Sequence, residues 1–308
     1  MGGLFGVVTE DTCVRTLFYG TDYHSHLGTE HAGMAVLGQK GFYNTIHEIS
    51  QAQFKSRFVD DYRKMEGHSG IGVIDDEAPQ PLIFRSKFGV FAVVATGLIT
   101  NKKKLVEELL NEGVSFSEMA GGGVNNAELV AALINRGDNI VEGIASMRGI
   151  IEGSVCALVL TREGIYAARD KVGRFPLALG KSIKSDVKSF VVATEASSFE
   201  NLGYELLRFL GPGEIVLLSP QGIRQLKPEG HDLKICSFLW IYTGSPSSVY
   251  EGIGVEDTRE RCGRYLARRD NVEADFVTGV PDSGIGHAIG YAMESGIPYR
   301  RPLVKYTP

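Results

Sequence analysis

Short apolar or alternating runs recur along residues 1–230, and glycine-rich turns separate them. Runs of this length and pattern are typical of β-strands, because successive side chains of a strand point to opposite faces. Apolar positions at helical spacing predict helices over 102–112 and 125–135, the second capped by Asn125 or Asn126. Strands and helices do not alternate strictly, which indicates the α+β class. The predicted strands are GLFGVV, SGIGVI, FGVFAVVAT, SVCALVLT, GIYAARD, LALGK, SFVVATE and GEIVLLS.

The pattern changes after residue 230. A helix over 256–270 precedes a buried strand (DFVTGVP), a tight loop (PDSG), a helix over 285–295 and a further strand that begins at GIPY. This order predicts the beginning of a parallel α/β unit, which stops at Pro308 before such a unit could close a sheet. We therefore expect two domains, 1–230 and 231–308, the second of them partial.

Composition excludes several classes of function. The net charge is -5 and both signs are spread along the chain, whereas a nucleic-acid surface needs a concentrated basic patch. Five arginines between 259 and 269 are interpreted as a solvated helix face. The sequence lacks an apolar run of membrane length and the basic start of a signal peptide. Four scattered cysteines do not suggest a disulfide framework, so we expect a reduced, cytoplasmic protein without membrane or nucleic-acid partners.

Several stretches, in the same order over nearly the whole chain, resemble the glutamine phosphoribosylpyrophosphate amidotransferases, also called amidophosphoribosyltransferases. Single pieces are weak signals, but their collinear order makes the resemblance specific. HLGTEHAG resembles the family's HRGQDAAG, TGLITN its NGNLTN, and RDKVGRFPLALGK its RDPNGIRPLVLGK, while VTGVPDSGIGHAIGYAMESGIPY is the nearest match. The resemblance implies a class-II glutamine amidotransferase domain with an N-terminal-nucleophile hydrolase-like αββα sandwich, followed by the start of a phosphoribosyltransferase-like domain, and a role in purine biosynthesis.

In that family an N-terminal cysteine attacks the glutamine amide, and its own α-amino group serves as the base. The family begins MCGIVGI and this chain begins MGGLFGV, so the nucleophile position is Gly2. The arginine that would pair with the glutamine carboxylate falls on Asp75. The oxyanion asparagine falls on Thr96, beside a retained Gly97, and the aspartate for the α-ammonium falls on Asn126. The resemblance thus implies a degenerate site, with no residue assigned as catalytic.

Other nucleophiles and a metal site were weighed as well. An N-terminal nucleophile at Thr9, Thr12 or Cys13 would require cleavage in or just after the first predicted strand, and we interpret these three as ordinary strand-end or loop residues. The three histidines between residues 24 and 31 lack an acidic or cysteine partner at a recognisable spacing, so no metal is expected.

The loop VPDSG occupies the place of the family's pyrophosphate loop, which makes Asp282, Ser283 and Gly284 candidate phosphate-binding residues. A plain strand-to-helix turn with Ser283 as N-cap is an equal alternative. The family's DDSIVRGTT motif for ribose phosphate is absent from this sequence. Cys236 alone matches a ligand of the iron–sulfur cluster that some members carry, so we expect no cofactor.

Three hypotheses follow from these residues. The first is a catalytically inactive glutamine amidotransferase domain with a structural or regulatory role, which leaves open a small-molecule ligand other than an amino acid in the former glutamine pocket. The second is a functional amidophosphoribosyltransferase in a full-length form. The third is an amide hydrolase with an altered nucleophile. The family forms homo-oligomers, so we expect one here.

Overall fold

A computed structural model describes residues 2–117, 119–120, 122–184 and 186–305. The chain divides into two compact units, Met1–Ile235 and Cys236–Pro308. The division falls a few residues after the boundary that the sequence predicts at residue 230.

The first unit contains two antiparallel sheets. Its strands, in chain order, are β1 (Gly3–Thr9), β2 (His31–Gly38), β3 (Gly41–Glu48), β4 (Ser69–Asp75), β5 (Leu82–Ser86), β6 (Gly89–Ile99), β7 (Met119–Ala120), β8 (Gly123–Val124), β9 (Gly153–Thr161), β10 (Gly164–Ala168), β11 (Ala178–Ser182), β12 (Ser189–Ala193), β13 (Tyr204–Phe209), β14 (Ile215–Ser219) and β15 (Gly222–Lys227). The first sheet has the order β13-β11-β12-β1-β4-β2-β3, and the second has the order β15-β14-β10-β9-β6-β5. Strands β7 and β8 form a separate small hairpin.

Helices cover both sheets of this unit. They are α1 (Val14–Asp22), α2 (Phe54–Tyr62), α3 (Lys102–Asn111), α4 (Asn126–Asn135), α5 (Ile140–Ile150) and α6 (Phe199–Leu202), and a 3-10 turn over Ala196–Ser198 precedes the last. Asn125 caps α4, since its side chain accepts a hydrogen bond from the N–H of Ala127.

Three apolar clusters show a four-layered arrangement. Side chains of β1 and β4, such as Leu4 and Val73, meet Val94 and Leu158 of the second sheet in the central cluster. On the outer face of the first sheet, alternate residues of the same strands pack against α1 and α2. The outer face of the second sheet packs against α3, α4 and α5. The alternation along each strand thus places helix, sheet, sheet and helix in succession.

The second unit is built on a helix pair. Strands β16 (Val249–Tyr250) and β17 (Ile253–Gly254) precede α7 (Val255–Ala267), which packs against α8 (Gly284–Ser295). A π-helix over Leu239–Thr243 contacts α7. One parallel bridge joins Val277 and Tyr299.

The eight predicted strands are confirmed, with shifts of a few residues at their ends, and so are the four predicted helices. Helices α1, α2, α5 and α6 of the first unit were not predicted from the sequence. Helix α1 gives a weak sequence signal, since its N-cap residue Cys13 makes no side-chain capping bond. The buried strand predicted over DFVTGVP is wrong: among the described residues this segment forms a single bridge, and Val280 is 70% exposed.

Candidate functional site

Gly2, the position matched to the nucleophile, is buried immediately before β1. Three oxygen atoms surround the point where a side chain would begin. A Cβ atom built on Gly2 would lie 2.7 Å from the Ile74 carbonyl oxygen, 2.7 Å from Thr96 Oγ1 and 3.0 Å from Asp75 Oδ1. Carbon–oxygen contacts below 3.0 Å require atoms to move. The space of a nucleophile side chain is therefore filled by its neighbours.

Asp75 ends β4 and is 6% exposed. Its Oδ2 atom accepts hydrogen bonds from Gln80 Nε2 at 2.8 Å and from the Ala78 N–H at 3.2 Å. Burial raises the pKa of this carboxyl, and the Gln80 hydrogen bond opposes that shift. Asp75 is thus held by neighbouring groups of its own chain, and its second oxygen faces Gly2.

Gln80 is a site residue that the sequence analysis missed. Besides reaching Asp75, its amide group donates to the Ala95 carbonyl at 2.9 Å and accepts from the Ala95 N–H at 2.8 Å. The backbone carbonyl of Gln80 lies against β2, where a Cβ on Gly33 would approach it to 1.8 Å. Through its side-chain hydrogen bonds, Gln80 joins Asp75 to β6 of the other sheet. A lone glutamine between two prolines carries no sequence signal for this role.

Thr96 lies in β6 beside Gly97, whose backbone requires glycine. Gly97 has a φ of +136°, and a Cβ there would meet the Ser154 carbonyl oxygen at 1.9 Å. Thr96 is 5% exposed and faces Gly2. The sequence-predicted positions Gly2, Asp75 and Thr96 therefore meet in space, with Gly97 alongside.

Asn126 begins α4 and connects to this cluster through an acidic residue. Its Nδ2 donates to Glu77 Oε2 at 2.7 Å, whereas its buried Oδ1 has no hydrogen-bond partner among the described residues. Burial lowers the pKa of nearby Lys102, and the Glu77 charge opposes that change. Asp75 and Glu77 give this pocket an acidic character where the resemblance places an arginine.

The histidines have separate environments. His24 is buried, and burial lowers its pKa to about 4, so the ring is neutral at pH 7. His26 Nε2 lies 3.0 Å from the carboxylate of buried Glu195. His31 pairs with Asp75 in the ladder between β2 and β4. Across the described residues, no group of three or more His, Cys, Asp or Glu side chains could hold a metal ion.

The alternative nucleophile Cys13 is poorly suited to attack. It is fully buried at the start of α1, and this burial raises the pKa of its thiol to about 12. Thr9 is the last residue of β1 and its N–H donates to the His68 carbonyl. Thr12 N–H donates to the side chain of Asp11 in the loop that follows.

In the second unit, Asp282 and Ser283 lie in the turn that enters α8, and Gly284 is its first residue. The Gly284 N–H donates to the Val280 carbonyl, so the loop is closed on itself. Asp282 is exposed and lies 3.9 Å from Lys305 Nζ. Ser283 is the N-cap residue of α8, as the alternative interpretation predicts, but its side chain makes no capping hydrogen bond.

A profile of the family described as "Glutamine amidotransferase domain" matches residues 68–201. The chain is 32% identical to the amidophosphoribosyltransferase of Bacillus subtilis, over 98% of this chain and 64% of that protein. It is 31% identical to the amidophosphoribosyltransferase of Archaeoglobus fulgidus, over 99% of this chain and 67% of that protein. It thus spans about two thirds of the length of these relatives.

Solved structures agree with the sequence relatives. The B. subtilis glutamine phosphoribosylpyrophosphate amidotransferase, complexed with ADP and GMP, matches with a TM-score of 0.88 at 30% identity, over 99% of this chain and 66% of that one. A structure described as the allosteric regulatory enzyme of purine biosynthesis matches with a TM-score of 0.87 at 29% identity, over 97% of this chain and 64% of that one. In the part of this chain that the structure describes, no helix has the length and apolarity to cross a membrane.

On the sequence and structural matches together, the chain belongs to the amidophosphoribosyltransferase family, with a class-II glutamine amidotransferase domain in an α+β fold.

Proposed function

We propose that the glutamine amidotransferase domain of this chain is catalytically inactive and serves a structural or regulatory role within an amidophosphoribosyltransferase-like protein. The observation that supports this most is the filled space at Gly2. A glycine offers no nucleophile, and the Thr96 hydroxyl, the Asp75 carboxylate and the Ile74 carbonyl occupy the region where a side chain would begin. Loss of the nucleophile alone costs several orders of magnitude in comparable hydrolases.

The charges around Gly2 support the same proposal. Glutamine brings an α-carboxylate, which in the family's chemistry pairs with a guanidinium. Here the matched position is Asp75, and Glu77 lies beside it with its carboxylate bonded to Asn126. Two acidic groups would repel that α-carboxylate, while Asn126 lacks the charge to hold an α-ammonium. Any ligand of this pocket would therefore differ from an amino acid.

Residues 231–308 are proposed to begin a phosphoribosyltransferase-like domain, with Asp282, Ser283 and Gly284 as phosphate-binding candidates. In support, the loop leads into α8, a helix whose N-terminus carries the partial positive charge that attracts anions. The exposed carboxylate of Asp282 opposes an anion, and Lys305 nearby offsets it in part. Homo-oligomerisation and the role in purine biosynthesis are proposals that rest on the family.

Enzyme assays on the full-length native protein test the proposal. We expect no glutamine hydrolysis above background, with the B. subtilis relative as a positive control under the same conditions. Phosphoribosylamine formation from free ammonia, measured in parallel, reports on the second domain separately. Robust glutaminase activity would overturn the proposal. A mature N-terminus at Thr9, Thr12 or Cys13 in mass spectrometry would favour the altered-nucleophile hydrolase instead.

A further inference from the structure

A second cleft lies in the first unit, at the end of the two sheets away from Gly2. Strand β2 starts beside Asp75 at His31 and ends at Gly38, so the turn that follows β2 lies at the far end. There, the turns between β2 and β3, β5 and β6, and β9 and β10 enclose about 600 Å³. This distal cleft is lined by Leu37, Phe42, Ile83, Val90, Arg85 and Arg162, among others. Its volume falls within the range of about 300–1,000 Å³ typical of small-molecule sites.

The floor of the distal cleft is an apolar extension of the core. Leu37 and Phe42 of the first sheet and Ile83 of the second are partly buried and pack against the cluster between the sheets. These side chains remain half-exposed at the opening. A ligand with an apolar body would remove their remaining surface from water, which is favourable.

Two arginines line this cleft beside the floor. Arg85 lies in β5 and pairs with Val90 in the β5–β6 ladder. It shares a face with Ile83, two residues earlier in the same strand, which packs against the cluster between the sheets. Arg162 directly follows β9, in the turn to β10, and lines the same cleft.

The charges of the distal cleft favour an anion. Both guanidinium groups are exposed, and neither has a carboxylate within ion-pair distance among the described residues. Glu163 also lines the cleft, and its carboxylate accepts a hydrogen bond from the Tyr166 hydroxyl at 2.7 Å, so the lining carries two positive charges against one negative charge. A guanidinium binds a carboxylate through two parallel hydrogen bonds.

We propose that the distal cleft binds an amphiphilic monocarboxylate, with the apolar body over Leu37, Phe42 and Ile83 and the carboxylate between Arg85 and Arg162. This site is separate from the pocket at Gly2 and does not depend on the loss of glutaminase activity.

Isothermal titration of the full chain with decanoate tests the site, with decyltrimethylammonium as a probe of equal chain length and opposite charge. We expect saturable binding of decanoate and none of the cation. The double substitution Arg85→Glu with Arg162→Glu should weaken decanoate binding by at least about tenfold, since it replaces two charge-assisted partners by repulsion. Arg57→Glu, which reverses the charge of a single exposed residue of α2 outside the distal cleft, should leave binding unchanged.

Val90→Trp supplies a second variant, which keeps both charges but fills the space between them, and it should also abolish binding. Circular dichroism of each variant checks the fold. Equal binding of both probes, unchanged affinity in the double variant, or no saturable binding by the parent protein would overturn the proposal. A change of oligomeric state in the double variant, measured by sedimentation, would identify the distal cleft as a contact between copies and would also overturn it.

Discussion

At the scale of single residues, Gly2 is closely surrounded at the point where a side chain would begin. Thr96 Oγ1 and Asp75 Oδ1 lie 2.7 Å and 3.0 Å from a Cβ built there, so no cavity lies beside this glycine at that point. The sequence identified Gly2, Asp75 and Thr96 by resemblance, but it could not show that they touch.

Gly2→Ala should therefore destabilise the protein, although alanine is the smallest side chain. The new Cβ would lie 2.7 Å from the Ile74 carbonyl, a backbone atom that cannot rotate away. We expect a loss of about 1–3 kcal/mol in the free energy of unfolding, measured by urea denaturation. Gly149→Ala is the matched control, because nothing lies within 4 Å of a Cβ at this position of α5. That variant should be neutral or stabilised by up to about 1 kcal/mol.

Asp75 should make stability depend on pH. Burial raises the pKa of Asp75 in the folded protein above the unfolded value near 3.8. At pH values between the unfolded and the folded pKa, the native state therefore binds more protons than the unfolded state. The contribution of Asp75 to stability is therefore greatest at low pH and falls as the pH rises through the folded pKa. Asp75→Asn, which cannot ionise, should remove this part of the pH dependence of the free energy of unfolding, measured by urea denaturation at a series of pH values in that window. An identical pH dependence in both proteins would contradict the prediction.

At the scale of elements, the arginine-rich helix α7 departs most from its sequence interpretation. Five arginines were interpreted as a solvated face, yet Arg259 is 1% exposed. It donates to the carbonyls of Trp240 at 2.8 Å, Tyr242 at 3.1 Å and Gly244 at 2.8 Å. Arg264 and Arg268 pair with Glu294 of α8. Spacing along a helix reports which residues share a face, but not which face meets a neighbour.

Arg259→Met should destabilise the full chain, because three carbonyls around the π-helix would lose a charged donor. The expected loss is about 2–4 kcal/mol in the free energy of unfolding. Arg261→Met, an exposed position of the same helix, should stay within about 0.5 kcal/mol of the parent. Similar values for the two variants would show that the buried guanidinium contributes nothing specific.

At the scale of the whole molecule, the sequence predicted the α+β class and the long central strands. These features follow from local patterns of apolar residues. The hairpin of β2 and β3 was missed because β3 is partly exposed along its whole length and lacks an alternating pattern. The link from Asp75 through Gln80 to β6 was also missed, since it joins residues of two sheets and depends on tertiary contacts.

The contacts around Gly2 also bear on any attempt to engineer this position. A cysteine introduced there would place its Cβ 2.7 Å from both the Thr96 hydroxyl and the Ile74 carbonyl, so the single substitution should be unfavourable. A designed nucleophile at residue 2 would therefore need compensating substitutions among its neighbours, made together with Gly2→Cys.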